Sequence, residues 1–203
     1  VKFLPCGTHH LLIEADSLDE ILDCYSSLEA HRPRGVVDMV PAARTVLIEF
    51  DTSKTNVATL QADVEALDSV RRVDSDDSVL NIDVRYDGED LDYVRAFLGY
   101  SPEELIAWHT GQTWEVAFTG FAPGFGYLVG DLHQTPIPRM EAPRVDVPAG
   151  SVALAGEFTG IYPRNSPGGW RIIGHTDAPL WDLDREPPAL LVPGTRVQFV
   201  AVS

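Results

Sequence analysis

Apolar positions in the first hundred residues follow two rhythms, one of period two and one near 3.6. His10–Ala15 (HLLIEA) reads as a short strand. Ser17 followed by Glu20 has the spacing of a helix capping box. Leu18, Ile21, Leu22, Tyr25 and Leu28 then recur at helical intervals, and Pro33 and Gly35 end the helix. Val36–Val40 and Thr45–Phe50 read as strands joined through Pro41. Thr55 opens a second helix with Val57, Leu60, Val64 and Leu67 on one face, and Val79–Val84 supplies another strand.

Strand, helix, strand, strand, helix, strand is the split βαβ order, which predicts a ferredoxin-like α+β domain over residues 1–88. Its acidic positions Asp63, Glu65, Asp68, Asp74, Asp76 and Asp77 read as a solvated face, since no EF-hand spacing is present. Residues 90–111 are again helical in pattern. Asp90 begins DLDYVRAFLG, and Ser101-Pro102-Glu103-Glu104 starts a second helix with proline in its first turn. Beyond Gly111 come only short apolar runs: TWEVAFTGF, RVDVPAGSVALAG, GIYP, GWRIIGHT and ALLVPGTRVQFVAV. Such runs at turn-limited spacing predict a mainly-β barrel or sandwich over residues 89–203, led by the two helices. Composition agrees, because residues 101–203 hold twelve of the sixteen glycines and twelve of the fifteen prolines.

Charge narrows the function. A formal charge of −16 repels phosphate backbones and anionic membranes, which argues against nucleic-acid or membrane partners. No apolar run approaches the ~20 residues that span a bilayer, and the start lacks a secretory pattern, so a cytoplasmic protein is expected. Cys6 and Cys24 are too few for a disulfide framework. There is no GxxxxGK[ST], no HExxH and no GxSxG, and Lys2 and Lys54 are the only lysines. A P-loop, a zinc enzyme, a nucleophile elbow and a lysine-based site in the second half are thereby excluded, and no metal site is expected.

What remains lies between Phe118 and Thr176. Gly120, Gly124 and Gly126 alternate with Phe121, Phe125 and Tyr127, a pattern that fits either a ligand pocket or a tight loop packing its rings inward. Ser151 follows Gly150, and Ser166, Gly168, Gly169 and Trp170 form a second glycine-rich turn of the kind whose N–H groups can hold anions. Arg139, Arg144, Arg164 and Arg171 lie within or beside these turns. They either grip an anionic ligand or balance Glu141, Asp146 and Glu157. His109 and His175 are the candidate proton-transfer groups, with a structural, backbone-bonded role as the alternative.

GFAPGFGYL (120–128), PRMEAPRVDVPAGSVALAG (138–156) and TGIYPRNSPGGWRIIGHT (159–176) together resemble allophanate hydrolase subunit 1. That is the family of the 5-oxoprolinase B subunit and of the Kip-type inhibitor of a sporulation histidine kinase. The same module occurs in the carboxyltransferase region of urea carboxylase. The resemblance implies a cyclophilin-like barrel after the α+β domain, and a homologous partner, allophanate hydrolase subunit 2 (the 5-oxoprolinase C subunit). With a third, lactam-opening component such proteins convert 5-oxoproline to glutamate using ATP, with Mg, bound largely by the partner. His109 or His175 is then expected to move protons while the four arginines hold carboxylate or phosphate, in a polypeptide inactive alone. Two other readings follow from the same resemblance: a binding-only kinase inhibitor, and a biotin-dependent carboxyltransferase component.

Overall fold

The structure, a computed structural model, describes residues 1–67, 78–130 and 135–203. Asp68, Asp74, Asp76 and Asp77 of the expected acidic face lie outside the described residues. The chain divides into two compact units, Val1–Asp74 and Ser75–Ser203.

In the first unit an antiparallel sheet runs in the order β1 (Lys2–Cys6), β2 (His10–Glu14), β4 (Thr45–Phe50), β3 (Val36–Pro41). Alternate residues Leu11 and Ile13 of β2, and Val46, Ile48 and Phe50 of β4, are buried, as period-two patterning requires. Two helices, α1 (Leu18–Ala30) and α2 (Val57–Glu65), add Ile21, Leu22, Leu28, Leu60 and Val64 to the buried set. Ser17 caps α1 by accepting the Glu20 N–H at 3.2 Å. Asn56, rather than Thr55, caps α2, accepting the Thr59 N–H at 3.0 Å.

One strand departs from the split βαβ expectation. Val79–Val84 (β5) does not join this sheet but pairs in parallel with Arg196–Ala201 (β13) of the second unit. Its expected place, antiparallel beside β2, is taken by β1, in register from Lys2↔Glu14 to Cys6↔His10. A hairpin turning at Gly7 (φ 69°) closes a much shorter loop than a strand returning from beyond α2, and so costs less chain entropy. The α+β character stands, and the units part ahead of β5 rather than after residue 88.

The second unit is a seven-stranded sheet in the order β12 (Arg171–His175), β9 (Ser151–Ala155), β10 (Phe158–Ile161), β7 (Gly126–Gly130), β6 (Trp114–Thr119), β13, β5. Its outer strands meet: Arg85 and His175 exchange backbone N–H···O bonds of 2.9 Å, and the Asp90 N–H reaches the Ile172 carbonyl at 2.9 Å. The sheet thus closes nearly into a barrel. β9 is buried along its whole length. Val152 and Leu154 point into the main core with Trp114, Leu128 and Phe199, while Ala153 and Ala155 join a second cluster built around Phe125, Tyr162 and Trp170. A separate ribbon pairs β8 (Arg144–Val147) with β11 (Ser166–Gly168).

Helices α3 (Leu91–Leu98) and α4 (Pro102–Thr110) precede β6 and contact β12 and β13 respectively. The α4 capping box is complete: the Ser101 hydroxyl accepts the Glu104 N–H at 3.1 Å, and the Glu104 carboxylate accepts the Ser101 N–H at 2.7 Å. Ser101→Ala is expected to cost about 1 kcal/mol in urea unfolding, with no change in ligand binding. Among the described residues no helix is long and apolar enough to cross a membrane. Cys6 and Cys24 are both free thiols.

Candidate functional site

The glycine–aromatic stretch and the Ser166–Trp170 turn converge on one cleft of about 270 Å³. Phe125 is its hub. Phe121, Tyr127, Tyr162 and Trp170 each meet it edge to face, with ring centroids 5.1–5.4 Å away and planes inclined by 64–86°. That arrangement sets the positive ring edge against the negative face. Two close approaches allow it. A Cβ on Gly160 would lie 2.9 Å from Phe125 and 3.0 Å from Trp170, and a Cβ on Gly168 would collide with the Tyr162 hydroxyl. Pro143 and Pro167 complete the walls, and Arg139 supplies the single charged side chain of the lining among the described residues.

Arg139 makes no hydrogen bond or ion pair with the described residues and is exposed. Its charge is felt by the walls: burial raises the Tyr127 and Tyr162 hydroxyls above the ordinary tyrosine range, and the guanidinium opposes both shifts. Both phenols therefore stay protonated and able to donate at neutral pH. Among the described residues no carboxylate lines the cleft. The arrangement suits a small flat anion, its ring against aromatic faces and its carboxylate in the guanidinium fork.

Two of the other three arginines are used elsewhere. Arg144 and Arg171 both reach Asp90, at 3.0 and 3.4 Å, and Asp90 is itself buried and accepts the Ile172 N–H at 2.8 Å. Arg144 also meets Glu89 at 3.2 Å. Arg171 stacks 3.7 Å over the Tyr93 ring and donates to the Pro138 carbonyl at 3.3 Å. Both guanidiniums are thus held in ion pairs with carboxylates, and neither lines the cleft. They hold the Pro138–Arg144 segment, and through it Arg139 and Pro143, against the barrel. Arg164 is exposed and outside the cleft lining.

Neither expected proton-transfer histidine reaches the cleft. His109 is 0% exposed in the barrel core, stacked on Phe199 with ring centroids 4.4 Å apart. Thr159 gives its one hydroxyl proton to the Ala153 carbonyl, so it accepts from His109 Nε2 at 3.1 Å. Nδ1 then accepts the Tyr86 hydroxyl at 2.7 Å. Burial pushes the His109 pKa down from 6.5 to about 3, which keeps the ring neutral. The residue is a satisfied core group.

His175 sits at the far end of β12 from Trp170, roughly 13 Å along the strand from Arg171 at ~3.3 Å per residue. There it lines a different cavity, of about 670 Å³, with Arg85, Asp83 and Asp177. Arg85 Nε donates to its Nε2 at 2.7 Å, and its Nδ1 meets Asp87 at 2.5 Å. Both ring nitrogens are engaged in fastening the barrel seam.

Of the remaining nominated residues, Phe125, Gly168, Gly169 and Trp170 line the cleft. Gly120, Gly124 and Gly126 shape the loop behind it, with Gly124 backed by Leu180 and Trp181 and Gly126 by Leu191 and Val116. Ser151 is buried in β9, and the Ser166 hydroxyl turns to the Arg164 carbonyl at 3.4 Å. Phe121, Tyr127, Pro143, Tyr162 and Pro167 also line the cleft and were not among the nominated residues. Phe121 and Tyr127 were visible in the aromatic stretch, whereas Tyr162 reaches the cleft through its contact with Gly168. No group of three or more His, Cys, Asp or Glu side chains among the described residues could hold a metal ion.

Comparison with known proteins identifies the family. The family model of the carboxyltransferase domain, subdomain C and D, matches residues 1–191. The 5-oxoprolinase B subunit of Bacillus subtilis (strain 168) is 35% identical over 184 residues, 83% of this chain and 77% of that protein. The Escherichia coli O157:H7 protein of the same name is 46% identical over 113 residues, so the chain spans about half (52%) of that relative. The crystal structure of TTHA0988 superposes with a TM-score of 0.77 at 34% identity, covering 97% of this chain and 41% of the other. The Kluyveromyces lactis urea amidolyase shares the fold at a TM-score of 0.79 and 20% identity, over 99% of this chain and 15% of that one. The chain belongs to the carboxyltransferase subdomain C and D family.

Proposed function

We propose that this chain is one component of a heteromeric, ATP-dependent lactam-cleaving enzyme, and that its cleft holds 5-oxoproline while a sister subunit completes the active centre. One observation carries the reading: among the described residues, a lone unpaired guanidinium stands at the mouth of a small aromatic cleft without carboxylates. 5-Oxoproline presents one carboxylate and one flat amide ring, which are the two features such a cleft can grip. The relatives named as 5-oxoprolinase B subunits support the assignment. TTHA0988 and urea amidolyase, in which matching regions occupy only 41% and 15% of longer chains, support a module that works beside other polypeptide.

The cleft does not fit a magnesium–triphosphate. Among the described residues it offers one cation where phosphoryl transfer gathers several, and no oxygen ligand cage for the metal. The nucleotide is therefore assigned to the sister subunit, a homologue of the 5-oxoprolinase C subunit. Ring opening falls to a third component. The work of this chain is positioning: Arg139 orients the carboxylate, the rings exclude water, and the protonated Tyr127 and Tyr162 donate to ligand oxygens.

The test is 5-oxoproline-dependent ATP consumption by the chain alone and with its sister subunit. The isolated chain is expected to be inactive. In the assembled enzyme Arg139→Ala should lower kcat/KM by about 10- to 150-fold, since a bond to a charged group is worth roughly 1.5–3 kcal/mol, while Arg164→Ala should change it less than twofold. Full activity in Arg139→Ala would refute the proposal.

A further inference from the structure

Phe121 is the one non-glycine among the described residues with positive φ, at 64°. Phenylalanine is poorly suited to that left-handed conformation, which asparagine or glycine enters at far less cost. Burial does not account for its presence, because the side chain is 57% exposed. The turn does not need it either: the loop is closed by backbone bonds, Ala122 N–H to the Gly120 carbonyl at 2.7 Å and Phe125 N–H to the Ala122 carbonyl at 3.0 Å. The strained backbone achieves one thing. It stands the ring at the cleft mouth, edge to face with Phe125 at 5.3 Å and Tyr162 at 6.0 Å, leaving its outer surface open.

We infer that Phe121 is a specificity-determining cover, a ring held ready to lie against the flat face of a cyclic ligand whose carboxylate sits on Arg139. The inference rests on the cleft being the 5-oxoproline site and names what selects within it. The α-carboxylate is common to 5-oxoproline and to its open-chain counterpart L-glutamate, so Arg139 does not tell them apart. Glutamate lacks a planar ring and brings an ammonium group, so only the cyclic form gains the aromatic contact.

Isothermal titration of the chain with 5-oxoproline and with L-glutamate tests this, beside thermal unfolding of each variant. The wild-type chain should prefer 5-oxoproline by about tenfold, the scale of a good aromatic contact. Phe121→Asn, which suits positive φ, should bring the ratio to within twofold at an equal or higher Tm. Phe121→Trp should keep the preference at a similar Tm. A tenfold ratio surviving in Phe121→Asn, with wild-type binding intact, overturns the cover alone. No 5-oxoproline binding by the wild-type chain sinks the cleft reading and the cover together.

Discussion

Replacing Asp90 with alanine is expected to destabilise the barrel unit by about 3–5 kcal/mol, the cost of leaving buried charge without its counterion. Asp90 is 6% exposed, and its carboxylate is shared by Arg144, Arg171 and the Ile172 N–H. The Asp90 hydrogen bond and charge raise the Arg144 pKa above its ordinary value, so Arg144 cannot escape by neutralising. The loss propagates outward. The Arg171 bond to the Pro138 carbonyl, and the Met140 N–H bond to the Gly169 carbonyl at 2.8 Å, keep the Arg139 segment against the cleft. Urea unfolding of Asp90→Ala should therefore show the lower stability, and 5-oxoproline should bind more weakly than to wild type at temperatures where both are folded. A variant within about 0.5 kcal/mol of wild type, the scatter of neutral surface substitutions, would show that the two guanidiniums are satisfied by other groups.

The second large effect is acid sensitivity from His109. Its folded pKa lies near 3, below the unfolded 6.5, because burial disfavours the charged ring. The unfolded chain binds a proton in that window that the folded chain refuses. Stability is therefore complete above pH 6.5 and falls as pH drops toward 3, by at most about 1.4 kcal/mol for each unit. Between about pH 6.5 and pH 4.5 this one side chain should remove about 2–3 kcal/mol. His109→Gln, which can still reach Tyr86 and Thr159, should be less stable at neutral pH yet show a pH slope shallower by one proton. Equal slopes in the two proteins would place the acid sensitivity elsewhere.

The elements themselves were legible because periodicity is local. Leu105 and His109, four apart on α4, share the helix face that turns inward, yet the pattern predicted the helix and left the histidine open between a proton-transfer and a structural role. Partner choice was not legible. Nothing in VLNIDV tells whether it pairs with β2 nearby or with β13 more than a hundred residues on, since strand pairing depends on where the rest of the chain goes. The same limit governs the arginines. Proximity to glycine-rich turns placed all four together, but the carboxylate that claims Arg171 comes from 81 residues away. Of the four, Arg139 alone lines the aromatic cleft. The aromatic cleft was half visible, in Phe125, Gly168, Gly169 and Trp170. Tyr162 was hidden because its partnership with Gly168 is a tertiary contact.

Hydrogen–deuterium exchange on the chain with and without its sister subunit and 5-oxoproline puts the half-site idea to its most direct trial. Backbone amides of residues 121–127 and 166–170 should exchange at least several-fold more slowly in the assembled, ligand-bound enzyme than in the isolated chain. If assembly slows exchange only at surfaces away from these two loops, the cleft is not the chain's share of the active centre.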